Sequence, residues 1–77
     1  MSKSLDRLIM MANQIGRAFV LRPEDEVVHE VAYHIKSFWE ARMLAQIYAH
    51  MDAGGTGLDP LVRQGLEYLR DQARVKA

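Results

Sequence analysis

Residues 37–62, SFWEARMLAQIYAHMDAGGTGLDPLV, decide the fold class of this chain. Met43, Ile47 and Met51 recur four apart with Leu44 beside them, which is the spacing of one face of an α-helix. The reading places that helix from Trp39 or Glu40 to Asp52. Gly54 and Gly55 end it, because glycine accepts the left-handed backbone of a C-terminal cap. Asp59 then suits an N-cap and Pro60 the position after it, so a second helix opens within a few residues. Ala41, Ala45 and Ala49 form another row on the first of these helices. Such a row either admits a close neighbour or simply reflects good helix formers.

The same periodicity extends outward in both directions. Ser4 is read as the N-cap of a helix over residues 5 to 20, with Leu5, Leu8, Ala12, Ile15 and Phe19 on one stripe and Ile9 beside it. Met10 falls on the other side, among Asp6, Gln14 and Arg17, either as a contact residue or as a lone exposed methionine. Arg22-Pro23 breaks the chain, and Pro23 is read as the first residue of a helix reaching about Ser37. Glu24, Asp25 and Glu26 place negative charge at the positive end of its dipole. Val27, Val31, Ile35 and Phe38 are expected inward, while Tyr33 points out beside His29 and Lys36. In the last helix Val62, Leu66, Leu69 and Ala73 define the apolar face. Arg63, Glu67, Arg70 and Arg74 line the opposite one, where Glu67 can pair with either neighbouring arginine, and the final residues are expected to fray. The fold class is therefore all-α, a small bundle of four short helices, in one domain over residues 1–77.

Composition narrows the function classes. A chain of 77 residues buries only about 60% of its unfolded surface, so its stability draws on any partner it has. There is no cysteine, which removes disulfides and thiolate-held zinc or iron–sulfur clusters. Ten basic and ten acidic residues cancel, whereas a dedicated nucleic-acid binder carries a basic excess. No apolar run reaches the 18 or more residues of a membrane span, and Asp6 and Arg7 stand where a signal peptide needs apolar residues. The expectation is a soluble, cytoplasmic protein without nucleic-acid or membrane partners.

Catalytic and metal motifs are missing from the pattern. His29 and His34 are five apart and so diverge by about 140° on a helix, whereas paired ligands on one face sit three or four apart. Gly54-Gly55-Thr56-Gly57 lacks the Lys-Ser/Thr that follows the last glycine of a P-loop, and a helix rather than a strand precedes it. No nucleophile has an adjacent base, and no catalytic, cofactor-binding or metal residues are assigned. Phe38 and Trp39 make an apolar lump at a helix corner, either core or an edge left for a partner, with Arg42 one turn on.

Three segments in order resemble the delta subunit of the soluble NAD-dependent formate dehydrogenase. They are Met11-Ala12-Asn13-Gln14-Ile15 with Phe19; Asp25-Glu26 followed by His34-Ile35-Lys36 and Phe38-Trp39-Glu40-Ala41-Arg42-Met43; and Ala49-His50-Met51 with the run from Gly54 to Val62. The resemblance covers about residues 5 to 66 of the chain. Ala41 stands where that family often has proline. The resemblance implies a non-catalytic accessory subunit of a complex that oxidises formate to CO2 and reduces NAD. It implies docking on the large molybdenum-containing subunit to support assembly or stability. This chain would hold no cofactor; other subunits would carry molybdopterin guanine dinucleotide, iron–sulfur clusters, FMN and the NAD site. Trp39, Arg42, Asn13, Met10 and Tyr33 are the expected partner-binding residues, with a buried Asn or Arg hydrogen-bonded by the other chain. The alternatives are a small helical DNA-binding or self-associating regulatory module. On the docking expectation, Trp39→Ala reduces co-purification with the large subunit; unfolding of the isolated chain with the complex intact would instead mark Trp39 as core.

Overall fold

The computed structural model describes residues 3–76, with side chains as far as Ala73. Four α-helices follow one another: α1 (Lys3–Ala18), α2 (Glu24–Phe38), α3 (Ala41–Asp52) and α4 (Pro60–Lys76). There is no strand among the described residues. The all-α architecture thus follows the hydrophobic periodicity, and element ends shift by only one or two residues. Pro23 serves as the N-cap of α2 rather than its first residue: its backbone is extended (φ −54°, ψ 147°), and its carbonyl accepts the Val27 N–H. Ser4 lies inside the first turn of α1 instead of capping it, and its hydroxyl oxygen accepts a bond from Gln46 on α3. The expected fraying concerns Ala77, and side chains from Arg74 onward, which lie outside the described residues.

Two glycines inside helices decide how the helices cross. α2 and α4 form the most extensive helix pair, and α1 touches each of the other three. At Gly65 a Cβ would lie 2.8 Å from Val31 Cγ1 and 3.0 Å from the Val28 carbonyl oxygen, so α4 rests its bare backbone on α2. At Gly16 a Cβ would meet Val62 Cγ2 at 2.5 Å, which sets α1 directly against α4. Glycine costs a helix interior about 1 kcal/mol relative to alanine, and close backbone approach is what each position gains. Val31 and Val62, both fully buried, fill the space that the two glycines leave. Ile35, Ile47 and Leu66 are the other large side chains fully buried among the described residues, with Leu8, Ile9, Ala12 and Met51 around them.

The corner between α2 and α3 differs from the sequence reading. Phe38 was expected inward at helical spacing from Ile35, yet it is 76% exposed, while Trp39 is 7% exposed and joins the core. The cause is local. The helix ends at Phe38 and Trp39 turns extended (φ −91°, ψ 137°), its N–H still donating to Ile35 O. That turn swings the indole inward and leaves the phenyl ring outside. Ala73, expected on the apolar face of α4, is exposed.

Gly65→Ala is expected to destabilise the purified chain by about 1–3 kcal/mol in denaturant unfolding, despite alanine's better helix propensity, because the added methyl strikes α2 backbone. An unchanged or raised midpoint would show that α2 and α4 are not in the contact described.

Candidate functional site

Asn13, on the inner side of α1, fixes the loop between α3 and α4. Its Nδ2 donates to Gly57 O at 2.9 Å and its Oδ1 accepts the Asp59 N–H at 2.9 Å. Asn13 is the one buried polar residue among the described side chains, and both ends of its amide are satisfied within the chain. The sequence reading had such an asparagine bonded by a partner; its acceptor and donor are main-chain groups 44 and 46 residues away instead. Arg17 adds an ion pair to Asp59 at 3.6 Å.

The rest of the glycine-rich loop is also held from within. Gly54, Gly55 and Gly57 all have positive φ, and the Gly55 N–H donates back to His50 O, closing the end of α3. His50 Nε2 donates to Thr56 O at 2.7 Å, and Arg63 reaches back from α4 to Gly54 O at 3.0 Å. Arg70 bonds Asp52 at 3.0 Å, so the arginine face of α4 fastens onto the end of α3. The expected pairing of Glu67 with Arg63 or Arg70 does not form; Arg63 bonds the Gly54 carbonyl, and Arg70 pairs with Asp52 and with its neighbour Asp71. Burial pushes the neighbouring Tyr48 phenol above its ordinary range, with the Arg70 charge opposing. The loop is a structural knot whose main-chain groups are turned toward the chain itself. Among the described residues no three His, Asp or Glu side chains converge as a metal site.

The open surface lies on the other side of α1. Two adjoining grooves meet at Met11 and Met43. One, about 760 Å³, is bordered by Lys3, Arg7, Arg42 and Gln46. The other, about 450 Å³, is bordered by Ile15, His34, Phe38 and Trp39. Lys3, Arg7, Met11, Gln14 and Ala18 follow one another at intervals of three or four, so a single stripe of α1 walls both grooves. Together they make one furrow between α1 and the α2–α3 corner. His34 organises its aromatic end: its ring lies 5.3 Å from Phe19, 5.6 Å from Tyr33 and stacks on Phe38 at 6.3 Å. Glu30 pairs with His34 Nε2 at 3.5 Å.

The five residues singled out from the sequence are thereby separated. Trp39 and Arg42 border the furrow, from its aromatic and basic grooves respectively. Tyr33 is 65% exposed and touches the aromatic end through His34. Met10 is 53% exposed on the flank of α1 that carries Asp6 and Arg17. Asn13 is under the loop. Sequence reasoning placed Met43 in the core stripe, where it packs partly buried, but did not show that it and the half-buried Met11 also border an open furrow, nor that Gly16 and Gly65 are crossing points. For the glycines the signal was present, as isolated glycines within helical periodicity.

These features define a small helical protein whose distinctive surface is a furrow and whose glycine motif is a fold-closing knot. Residues 7–66 match the family described as NADH-dependant formate dehydrogenase delta subunit FdsD, and the chain belongs to that family. Comparison with curated proteins and with solved structures returns no match.

Asn13→Ala is expected to cost about 1–3 kcal/mol in equilibrium unfolding, because it leaves the part-buried Gly57 carbonyl and Asp59 N–H without their partner. A cost below about 0.5 kcal/mol would mean that solvent already satisfies those groups.

Proposed function

We propose that this delta subunit is a non-catalytic, cofactor-free docking subunit. It binds the large molybdenum-containing subunit of formate dehydrogenase and stabilises the assembled complex. The observation that carries the reading is membership of the delta-subunit family over 60 residues, from 7 to 66, which includes Asn13, the glycine-rich loop it holds and the furrow-lining residues from Arg7 to Gln46. The residues support it. Without cysteine the chain offers no thiolate for an iron–sulfur cluster. In this reading the molybdopterin guanine dinucleotide, the clusters, FMN and NAD belong to other subunits.

The physical mechanism is linkage. A chain that binds only the assembled form shifts the equilibrium toward it, by an amount set by its free concentration relative to Kd. No contact with the reacting carbon is required. Exposed Phe38 and Tyr33, with Arg42 beside the furrow, are the side-chain types enriched in protein interfaces. Trp39 contributes its edge while its body supports the core. Truncating it therefore disturbs fold and docking together, and Phe38→Ser, at an exposed site, isolates docking. The protein works in the cytoplasm alongside its complex; no helix among the described residues is long and apolar enough to cross a membrane.

Affinity purification of a tagged copy from its native host is expected to recover the large subunit in a fixed ratio. Deleting the gene is expected to lower the amount of assembled complex and formate-dependent NAD reduction together, with activity per assembled complex unchanged. Full assembly and activity in the deletion strain, with nothing recovered by the tagged copy, would refute the reading.

A further inference from the structure

The furrow beside α1 is polarised in a way the overall charge balance conceals. Lys3, Arg7 and Arg42 all border one end and are exposed. None of the three makes an ion pair among the described residues. Other arginines are engaged with their own chain: Arg17 with Asp59, Arg22 with Glu30, Arg70 with Asp52 and Arg63 with a loop carbonyl. Lys36 borders a separate hollow with Leu69. No Asp or Glu borders either groove of the furrow. Three uncompensated cations are thus gathered at one end of a chain of zero net charge. At the other end stand the exposed ring of Phe38 and the Trp39 edge, and Met11 and Met43 bridge the two.

From this geometry we infer that the furrow receives a segment of the large subunit bearing carboxylates at one end and bulky apolar side chains at the other. The inference rests on the docking reading above and specifies its surface and chemistry. From Lys3 to Ala18 the wall of α1 is roughly 22 Å long at 1.5 Å per residue, so the occupant has the length of about four helical turns. Its acidic end lies against Lys3, Arg7 and Arg42, where charge complementarity steers the encounter and fixes direction. Its apolar end covers Phe38 and seats against the methionines, whose unbranched thioethers adapt to an irregular partner surface. The groove on the other flank of α1, over Gly16 and Val62, offers no such basic end: its one cation, Arg17, is paired with Asp59, and Glu24 also borders it.

The test uses the full chain co-expressed with the large subunit. If the unsubstituted chain is not retained by the tagged large subunit, the docking reading fails and the furrow with it. Given that retention, Arg7→Glu combined with Arg42→Glu is expected to weaken it at least about tenfold, with the circular dichroism of the chain unchanged. Arg7→Lys combined with Arg42→Lys keeps both charges and is expected to restore binding. Treated with a water-soluble carbodiimide, that complex is expected to yield amide cross-links from positions 3, 7 or 42 to Asp or Glu of the large subunit. Normal retention of a folded charge-reversed chain overturns the inference and leaves docking through another face. So do cross-links from the lysine variant that avoid all three positions or join two copies of this chain. Should the charge-reversed chain fail to fold, the cross-linking pattern of the lysine variant alone decides.

Discussion

The side-chain amide of Asn13 holds this fold in register. One residue on α1 donates to Gly57 O and accepts from Asp59 N, and so ties the first helix to the loop from which the last one starts. The loop cannot move without leaving two main-chain groups unpaired under α1, and a buried unpaired polar group costs more than the hydrogen bond it replaces is worth. With the loop fixed, α4 begins at Pro60 and runs so that Val62 falls on Gly16 and Gly65 falls on Val31. The clamp and the two bare-backbone crossings determine one another. In a domain this small, such specific contacts carry a larger share of the stability than they would beside a big core.

The same clamp decides which side of α1 is free. The inner side, with Ile9, Asn13 and Gly16, is used up by the loop and α4. The opposite stripe, Lys3, Arg7, Met11, Gln14 and Ala18, remains as one wall of the furrow. The α2–α3 corner supplies the other wall through a single extended residue, Trp39, which anchors the corner in the core and pushes Phe38 outward. Function in this account lives on what the clamp leaves uncovered. The motif residues most eye-catching in the sequence, the glycine run and the asparagine, serve the fold.

That division explains what was legible in the sequence. Helix number and approximate bounds followed from Pro23, Gly54-Gly55 and Asp59-Pro60, because backbone chemistry acts locally. The core stripe of α3 through Ile47 and Met51 followed from periodicity. Phe38 reads inward by helical spacing from Ile35, yet it is the last residue of α2 and the extended backbone at Trp39 leaves its ring outside; whether the Phe38–Trp39 pair is core or edge depends on that turn, which periodicity does not encode. Asn13 could not be read as internally satisfied, since its partners are main-chain atoms more than 40 residues distant. The furrow was invisible for a related reason: its basic end draws Lys3 and Arg7 from α1 and Arg42 from α3, and only the folded chain sets them together. The delta-subunit family itself was accessible from the order and spacing of the short segments, and it spans the same residues that build the knot.

The most direct measurement is hydroxyl-radical footprinting of the chain free and within the assembled formate dehydrogenase, read residue by residue by mass spectrometry. The methionines provide an internal control, because Met10 stands exposed on the flank of α1 while Met11 and Met43 border the furrow. A furrow that seats the large subunit gives falling oxidation at Phe38, Met11 and Met43 on assembly, with Met10 still reactive. Protection of Met10 with unchanged rates at Phe38 and Met43 would contradict the account and put the contact on the exposed flank of α1 beside the furrow rather than in it.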